Sequence, residues 1–484
     1  MTARLNFAET NVHDADGKDS TGGRGLLCRI DADDGDNNKR SALVLGSLAA
    51  VGYFFTYFWK TTIFMLPQSV LNATVLTLGG GSGSNGNTGE AISLNTALAI
   101  SQALGYFLGK LPAIKYMTSP LFFDNRFAVL SGLLAAGCLL NTAPFLFFHA
   151  VPWMPVLGVF LGSIPLTCVW GGLMTYLEGR KATEALVAMM TFSFILAGSA
   201  SRGTAKLVLN VFLSDHPLWM PLALGMIALP CCLFFVRLVH KFPGPSAADK
   251  AQRSERAAMT TSQKIAFIHT YWPGLLALAL VYAIMTAFRQ YRDFYALFLF
   301  EQSLHTSVLP SAFLFGVDIP GALACSAFLL YMPRISSNAR AVCAMLFASI
   351  ISLALLLGST VLFAKKSMSG TVWQVCVGAS FYVVYGLLGS PISERIVASS
   401  GTTATASYLI FVLDACGYVG TIATLVINAA SKSNDILHDF THLVFVLSPV
   451  MIVAAFTSLV YFQRRLAVQG DYKRIAQHVS SDSL

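Results

Sequence analysis

Eight ionisable side chains stand inside long apolar runs: Lys60, Arg202, Lys206, Arg289, Arg292, Asp293, Asp318 and Asp414. A charge at the centre of a bilayer-length apolar segment costs about 2.5–3.5 kcal/mol on insertion scales, so each needs a partner or a ligand. Lys60 and Arg289 fall within about two helical turns of the middle of their runs, too deep for their stems to carry the charge out. Their surroundings repeat. Tyr53 precedes Trp59-Lys60 and Tyr282 precedes Phe288-Arg289, each time as tyrosine, five residues, aromatic, cation. Two cations brought to one low-dielectric place repel, and an anion between them removes the repulsion while accepting charge-assisted hydrogen bonds. The expected chemistry is capture of a small anion, with Arg289 as a planar fork and Lys60 as a point charge. Arg202 would extend the positive region, and Tyr53 and Tyr282 would touch the ligand.

Each of these residues has a plainer role open to it. Arg289 and Asp293 share a helix face at i and i+4 and can pair with each other, and Lys60 can be neutralised by Asp318 or Asp414. Arg202 and Lys206 have the same spacing with like charges, which calls for a carboxylate nearby. Asp414 could supply it. Asp414 and Asp318 are also candidates to carry a coupling proton, because burial raises a carboxyl pKa and a neighbouring cation lowers it. Arg292 and Asp293 join them as coupling or gating candidates.

The elements that hold these residues follow from composition. Of 484 residues, 55% are hydrophobic and 12% charged, and the mean hydropathy is +0.63. Soluble chains carry about 25% charged residues, so a soluble globular protein, a disordered chain and a disulfide scaffold are excluded. Twelve apolar runs are long enough to cross a bilayer as helices, at 41–66, 92–111, 127–148, 152–177, 182–210, 217–239, 272–300, 306–330, 340–363, 371–391, 402–430 and 440–463. The predicted architecture is an all-α membrane protein of twelve transmembrane helices. With both termini in the cytoplasm, 24 of the 32 Lys and Arg fall on that side and three on the other, as the positive-inside rule requires. The net charge of +8 is read as loop charge, not as a nucleic-acid surface.

The predicted organisation is a polar tail (1–40), a six-helix half (41–240), a basic linker (241–271), a second six-helix half (272–464) and a second tail (465–484). Two such halves are the layout of transporters that bind a solute between repeats near the bilayer midplane. Gly81, Gly83 and Gly86 match GxGxxG, but no strand-to-helix context surrounds them, and the stretch is read as a linker. Gly158 and Gly162 form a GxxxG packing pair. No HExxH or GxSxG and no intramembrane His and Asp cluster occurs, so no enzyme activity and no cofactor or metal is expected. The expected partners are a small-molecule solute, the lipid bilayer and a co-transported proton or exchanged anion, with the chain a monomer.

This organisation resembles the major facilitator superfamily (MFS). Gly52-Tyr53-Phe54-Phe55-Thr56-Tyr57-Phe58-Trp59-Lys60 resembles the first helix of its organophosphate:phosphate antiporter branch. That resemblance implies that Lys60 and Arg289 stand at the positions of two phosphate-clamping arginines, with lysine in place of one fork. The stretch Trp170-Gly171-Gly172-Leu173-Met174-Thr175-Tyr176-Leu177-Glu178-Gly179-Arg180-Lys181-Ala182-Thr183-Glu184, with Phe288-Arg289-Gln290-Tyr291-Arg292-Asp293-Phe294, is similar to an uncharacterised family of MFS-like membrane proteins. The superfamily's GxLxDRxGRR signature is replaced by Gly109-Lys110-Leu111-Pro112-Ala113-Ile114-Lys115. Glu178, Arg180, Lys181 and Glu184 are then expected to form the cytoplasmic latch. The family resemblance implies no substrate; taken with the paired cations, the expected function is a secondary transporter of a small organic or phosphorylated anion working by alternating access, and the alternative is a receptor, scaffold or chaperone that keeps the fold without transporting.

Overall fold

The computed structural model describes residues 41–78, 90–116, 122, 124–177, 183–243, 261–400, 406–430 and 435–481. The chain divides into Met1–Val44, of which only the helical residues 41–44 are described, and Leu45–Leu484, which carries every contact discussed below. The predicted 1–40 tail, Gly81, Gly83, Gly86 and the latch residues Glu178, Arg180 and Lys181 lie outside the described residues, as does the side chain of Glu184.

In chain order the helices are α1 (Ser41–Lys60), α2 (Leu94–Tyr116), α3 (Arg126–Thr142), α4 (Met154–Leu177), α5 (Thr183–Val211) and α6 (Met220–Lys241). There follow α7 (Thr261–Phe294), α8 (Ala296–Leu304), α9 (Ser311–Gly316), α10 (Ile319–Tyr331), α11 (Asn338–Ala364), α12 (Gly370–Leu388), α13 (Ser390–Ser400), α14 (Ala406–Ala430) and α15 (Ile436–Ser481). Among the described residues eleven helical segments are long and apolar enough to cross a membrane. The protein is a multi-pass integral membrane protein. The run predicted at 92–111 forms α2, 23 residues long, which is not one of the eleven. Asn95, Thr96, Ser101, Gln102 and Lys110, all buried, dilute its apolarity because they face the protein interior and not lipid.

Three further differences from the sequence reading have local causes. The stretches flanking the glycine-rich loop pair as an antiparallel hairpin, β1 (Thr74–Leu78) with β2 (Glu90–Ser93), so the fold is not wholly helical. The predicted linker is shorter, because α7 already begins at Thr261. The predicted tail from 465 continues α15 through Ser481, across Gly470, with no Pro after Pro449 to stop the helix.

Helices α2 and α14 pack against each other, and α5 packs against α9 and α10, so the N-terminal and C-terminal helices meet along two seams. Close approach needs small residues. A Cβ built on Gly158 would lie 2.3 Å from Pro144 Cγ and 2.6 Å from the Leu140 carbonyl oxygen, and one on Gly162 would lie 2.3 Å from Asn141 Nδ2. The GxxxG pair therefore seats α4 on the end of α3. Gly158→Val is expected to lower the melting temperature of the purified protein, because such overpacking costs about 1–3 kcal/mol; an unchanged melting curve would show that the seam can yield.

Candidate functional site

The first helix is bent where its threonines bond back to their own turn. Thr56, Thr61 and Thr62 donate to the carbonyls of Tyr53, Tyr57 and Phe58 at 2.6, 2.8 and 2.7 Å, a pattern that loosens helices. The α-helix ends at Lys60 and a 3-10 turn covers Thr62–Met65. Lys60 thus sits at a helix end and not in the middle of a continuous span as predicted, with its charge near the carbonyl end of the dipole.

Lys60 lines a cavity of about 100 Å³ at the seam between the N-terminal and C-terminal helices. Tyr53, Tyr282, Arg289 and Asp414 line it too, together with Tyr106, Lys110, Trp170, Phe194, Tyr385 and Tyr418. Lys60 Nζ lies 4.9 Å from the Tyr57 ring centroid and 4.7 Å from that of Tyr106. Among the described residues no carboxylate comes within ion-pair distance of it, so neither Asp318 nor Asp414 neutralises it. Arg289, 7% exposed, stacks over Tyr385 at 4.5 Å and donates from Nη1 to Asp293 at 3.3 Å. Its Nε has no partner among the described residues.

Asp414 is held at the same cavity by a cation that the sequence reading missed. Lys110 donates to Asp414 Oδ2 at 2.6 Å and Tyr282 donates to Oδ1 at 2.9 Å. The ring of Tyr106 stacks on that of Tyr418 at 5.7 Å, nearly parallel. From the sequence alone Lys110, at the end of the run 92–111 and in the stretch that replaces the superfamily's loop signature, reads as one of the 24 cytoplasmic charges. The available signal was that α2 continues through Lys110 to Tyr116 with one polar face.

Arg202 does not line this cavity. It belongs to a buried network with Asp293, Asp318 and Arg292. Arg202 Nη1 donates to Asp293 at 2.9 Å and its Nη2 to Asp318 Oδ2, while Arg292 Nη1 donates to Asp318 Oδ1 at 2.8 Å. Ser199 and Tyr382 also donate to Asp318, at 2.8 and 3.0 Å. Gln374 accepts from Arg292 through its side-chain and backbone oxygens, both at 3.2 Å. The carboxylates that answer Arg202 are therefore Asp293 and Asp318, and not Asp414. The reason is Pro320 at the start of α10: it breaks the span after Gly316, and Asp318 occupies the break, where its side chain is free of the helix ladder. Lys206 lies near Glu301, whose carboxylate accepts from Gln68.

Cavity and network form one alternating array across the seam, linked by Arg289 and Asp293. Its cations are Lys60, Lys110, Arg202, Arg289 and Arg292, and its carboxylates are Asp293, Asp318 and Asp414. Buried charges persist where each is paired and hydrogen-bonded, and among the described residues the cation of this array without a carboxylate partner is Lys60, in the cavity wall.

No curated protein matches the chain in sequence. In three dimensions it is similar to a nucleoside transporter, NupG, at a TM-score of 0.56 and 15% identity, over 87% of this chain and 99% of that one. A D-xylose–proton symporter superposes with a TM-score of 0.60 at 11% identity, over 87% and 97% of the two chains. The human organic anion transporter MFSD10 does so with 0.53 at 12%, over 87% and 99%. At these identities the likeness establishes the fold, that of the major facilitator superfamily. A family model described as "Family of unknown function (DUF5690)" matches residues 84–465, and the chain belongs to that family.

Proposed function

We propose that the protein is a secondary active transporter that moves a small organic or phosphorylated anion by alternating access. The observation that supports this most directly is the shared cavity, where Lys60 and Arg289 approach from opposite halves and the one lining carboxylate, Asp414, is already engaged by Lys110. An anion there would meet a point charge, a fork with a spare Nε donor and the hydroxyl of Tyr53, while Tyr282, whose proton goes to Asp414, lines the cavity beside it. In this reading α2 is the second of twelve spanning helices in two six-helix halves, both termini are cytoplasmic, and the chain works as a monomer. Lys110–Asp414 and Tyr106–Tyr418 close one end of the cavity, and Asp414 is the group that would take up a coupling proton if the exchange partner is not a second anion. Asp318, Arg292, Asp293 and Arg202 hold the seam, and Glu178, Arg180, Lys181 and Glu184 remain the expected latch.

The test is thermal unfolding of the purified protein with inorganic phosphate, phosphate esters and carboxylates, set beside neutral sugars and amines, on wild type and Lys60→Ala. A ligand at 100 times its dissociation constant adds about 2.7 kcal/mol of apparent stability. Stabilisation by one class of anion, lost in Lys60→Ala, is the expected outcome. A response confined to cations, or identical in the variant, would remove the anion reading.

One observation favours a second reading, a non-transporting receptor, scaffold or chaperone with the transporter fold. Asp293, Asp318 and Asp414 are each satisfied by internal cations, and the cavity is small. Failure of every solute to stabilise the protein, with the ion pairs intact, is what that reading expects.

A further inference from the structure

A second cavity lies at the hairpin end of the bundle, and its lining has a different chemistry. It holds about 570 Å³, and among the described residues no charged side chain lines it. Asn95 and Thr96 of α2 face Tyr295, Phe298, Gln302 and Asn428 from the C-terminal half across it. It is distinct from the charged cavity. Ten residues of α2 separate Thr96 from Tyr106, about 15 Å of helix, and the Phe64–Phe294 contact at 4.9 Å and the Arg202–Asp293 pair belong to the layer between.

Most of its polar groups are held in place. Thr96 and Tyr295 share a hydrogen bond at 3.0 Å, Asn428 donates to the Tyr295 hydroxyl at 3.1 Å and accepts from Tyr291 at 2.9 Å, and Gln302 accepts from the Leu437 N–H at 2.8 Å. Asn95 is the exception. It is 1% exposed, and neither its amide oxygen nor its amide nitrogen has a partner among the described residues. A buried amide without partners is costly, and this one lines a cavity large enough to bring the partner in.

We propose that this vestibule is a binding site for a neutral polyhydroxylated solute, a sugar or polyol, that bridges the two halves before the charged cavity opens. Carboxamides and hydroxyls donate and accept in equal measure, which is what a ring of sugar hydroxyls requires. The faces of Tyr295 and Phe298 offer the apolar platform on which the C–H side of such a ring rests. An ionic ligand would find no counter-charge among the described lining residues. Two halves of the site come from two halves of the chain, so occupancy favours the closed seam at this end.

The experiment uses the full chain in nanodiscs, titrated with D-glucose, D-xylose, sorbitol and inorganic phosphate while thermal unfolding is followed. At least one neutral polyol is expected to raise the melting temperature saturably. Asn95→Leu, which removes an amide with no partner among the described residues, and the isosteric Thr96→Val are each expected to weaken that effect about tenfold. Arg289→Ala is expected to leave it unchanged. If Asn95→Leu does not accumulate, Thr96→Val carries the test alone. The proposal is overturned if no polyol binds wild type, which leaves a water-filled vestibule only, or if binding survives both vestibule substitutions. It is also overturned if Arg289→Ala abolishes binding, which would place the polyol in the charged cavity.

Discussion

Replacing Asp318 with alanine is expected to be among the most damaging single changes to this protein, removing the folded, monodisperse species from detergent extracts. The carboxylate is 0% exposed and accepts from Arg202, Arg292, Ser199 and Tyr382 at once. Without it Arg202 keeps Asp293, but Arg292, 1% exposed, keeps only Gln374. Breaking a buried ion pair from one side costs about 3–5 kcal/mol because a charge is left uncompensated, a large part of the about 5–15 kcal/mol by which folded proteins are stable. Asp318→Asn keeps the shape and one acceptor oxygen, which at the Oδ2 position still accepts from Arg202, Ser199 and Tyr382 while Arg292 loses its acceptor there, so it should fall between wild type and Asp318→Ala in melting temperature. Arg202→Met, Asp318→Leu and Arg292→Met together should recover much of the loss, because apolar replacements of a buried ionic cluster are often neutral. Wild-type stability in Asp318→Ala would show that the network contributes nothing to the seam.

That network marks how far the sequence could be read. Length of apolar run and placement of Lys and Arg are one-dimensional quantities, and they located α1 to α6, α11, α12 and α14 to within about two turns, whereas α7 and α15 extend well beyond their runs and α13 falls largely between two of them. Where the chain departs from a plain apolar helix they were less informative. Lys110 looked like a loop charge because hydropathy is averaged along the chain, whereas its environment is set by which face of α2 meets α14. Pairings across the seam depend on helix rotation, so Asp318 could be assigned to Lys60 as readily as to Arg202. The four residues of the repeated Tyr-to-cation spacing, Tyr53, Lys60, Tyr282 and Arg289, do line one cavity. Arg202 shared their charge but not that register, and it is absent from the cavity wall. The polar face that removed α2 from the apolar spans was itself a legible sign that this helix lines the interior.

The decisive substitution for function is Arg289→Ala. Its fold should survive, because Asp293 retains Arg202 at 2.9 Å and the Arg289–Asp293 contact is the longer of the two at 3.3 Å. What is lost is a charge-assisted donor in the cavity wall, worth about 1.5–3 kcal/mol, or about 10- to 150-fold in the affinity of the anion that stabilises wild type. Arg289→Lys restores the charge without the fork and should lie between them. Uptake of that anion into proteoliposomes should fall with the affinity. Asp293 supplies the sharper discrimination, since in the closed cavity it competes with any anion for the same guanidinium. If Arg289 serves the ligand, Asp293→Asn frees it and tightens anion binding while slowing release. If Arg289 serves only the seam, Asp293→Asn lowers the melting temperature and leaves binding of every anion where it was. Because Asp293 also pairs with buried Arg202, the melting temperature falls in either case, and it is tightened against unchanged anion binding that separates a transport site from a structural ion pair.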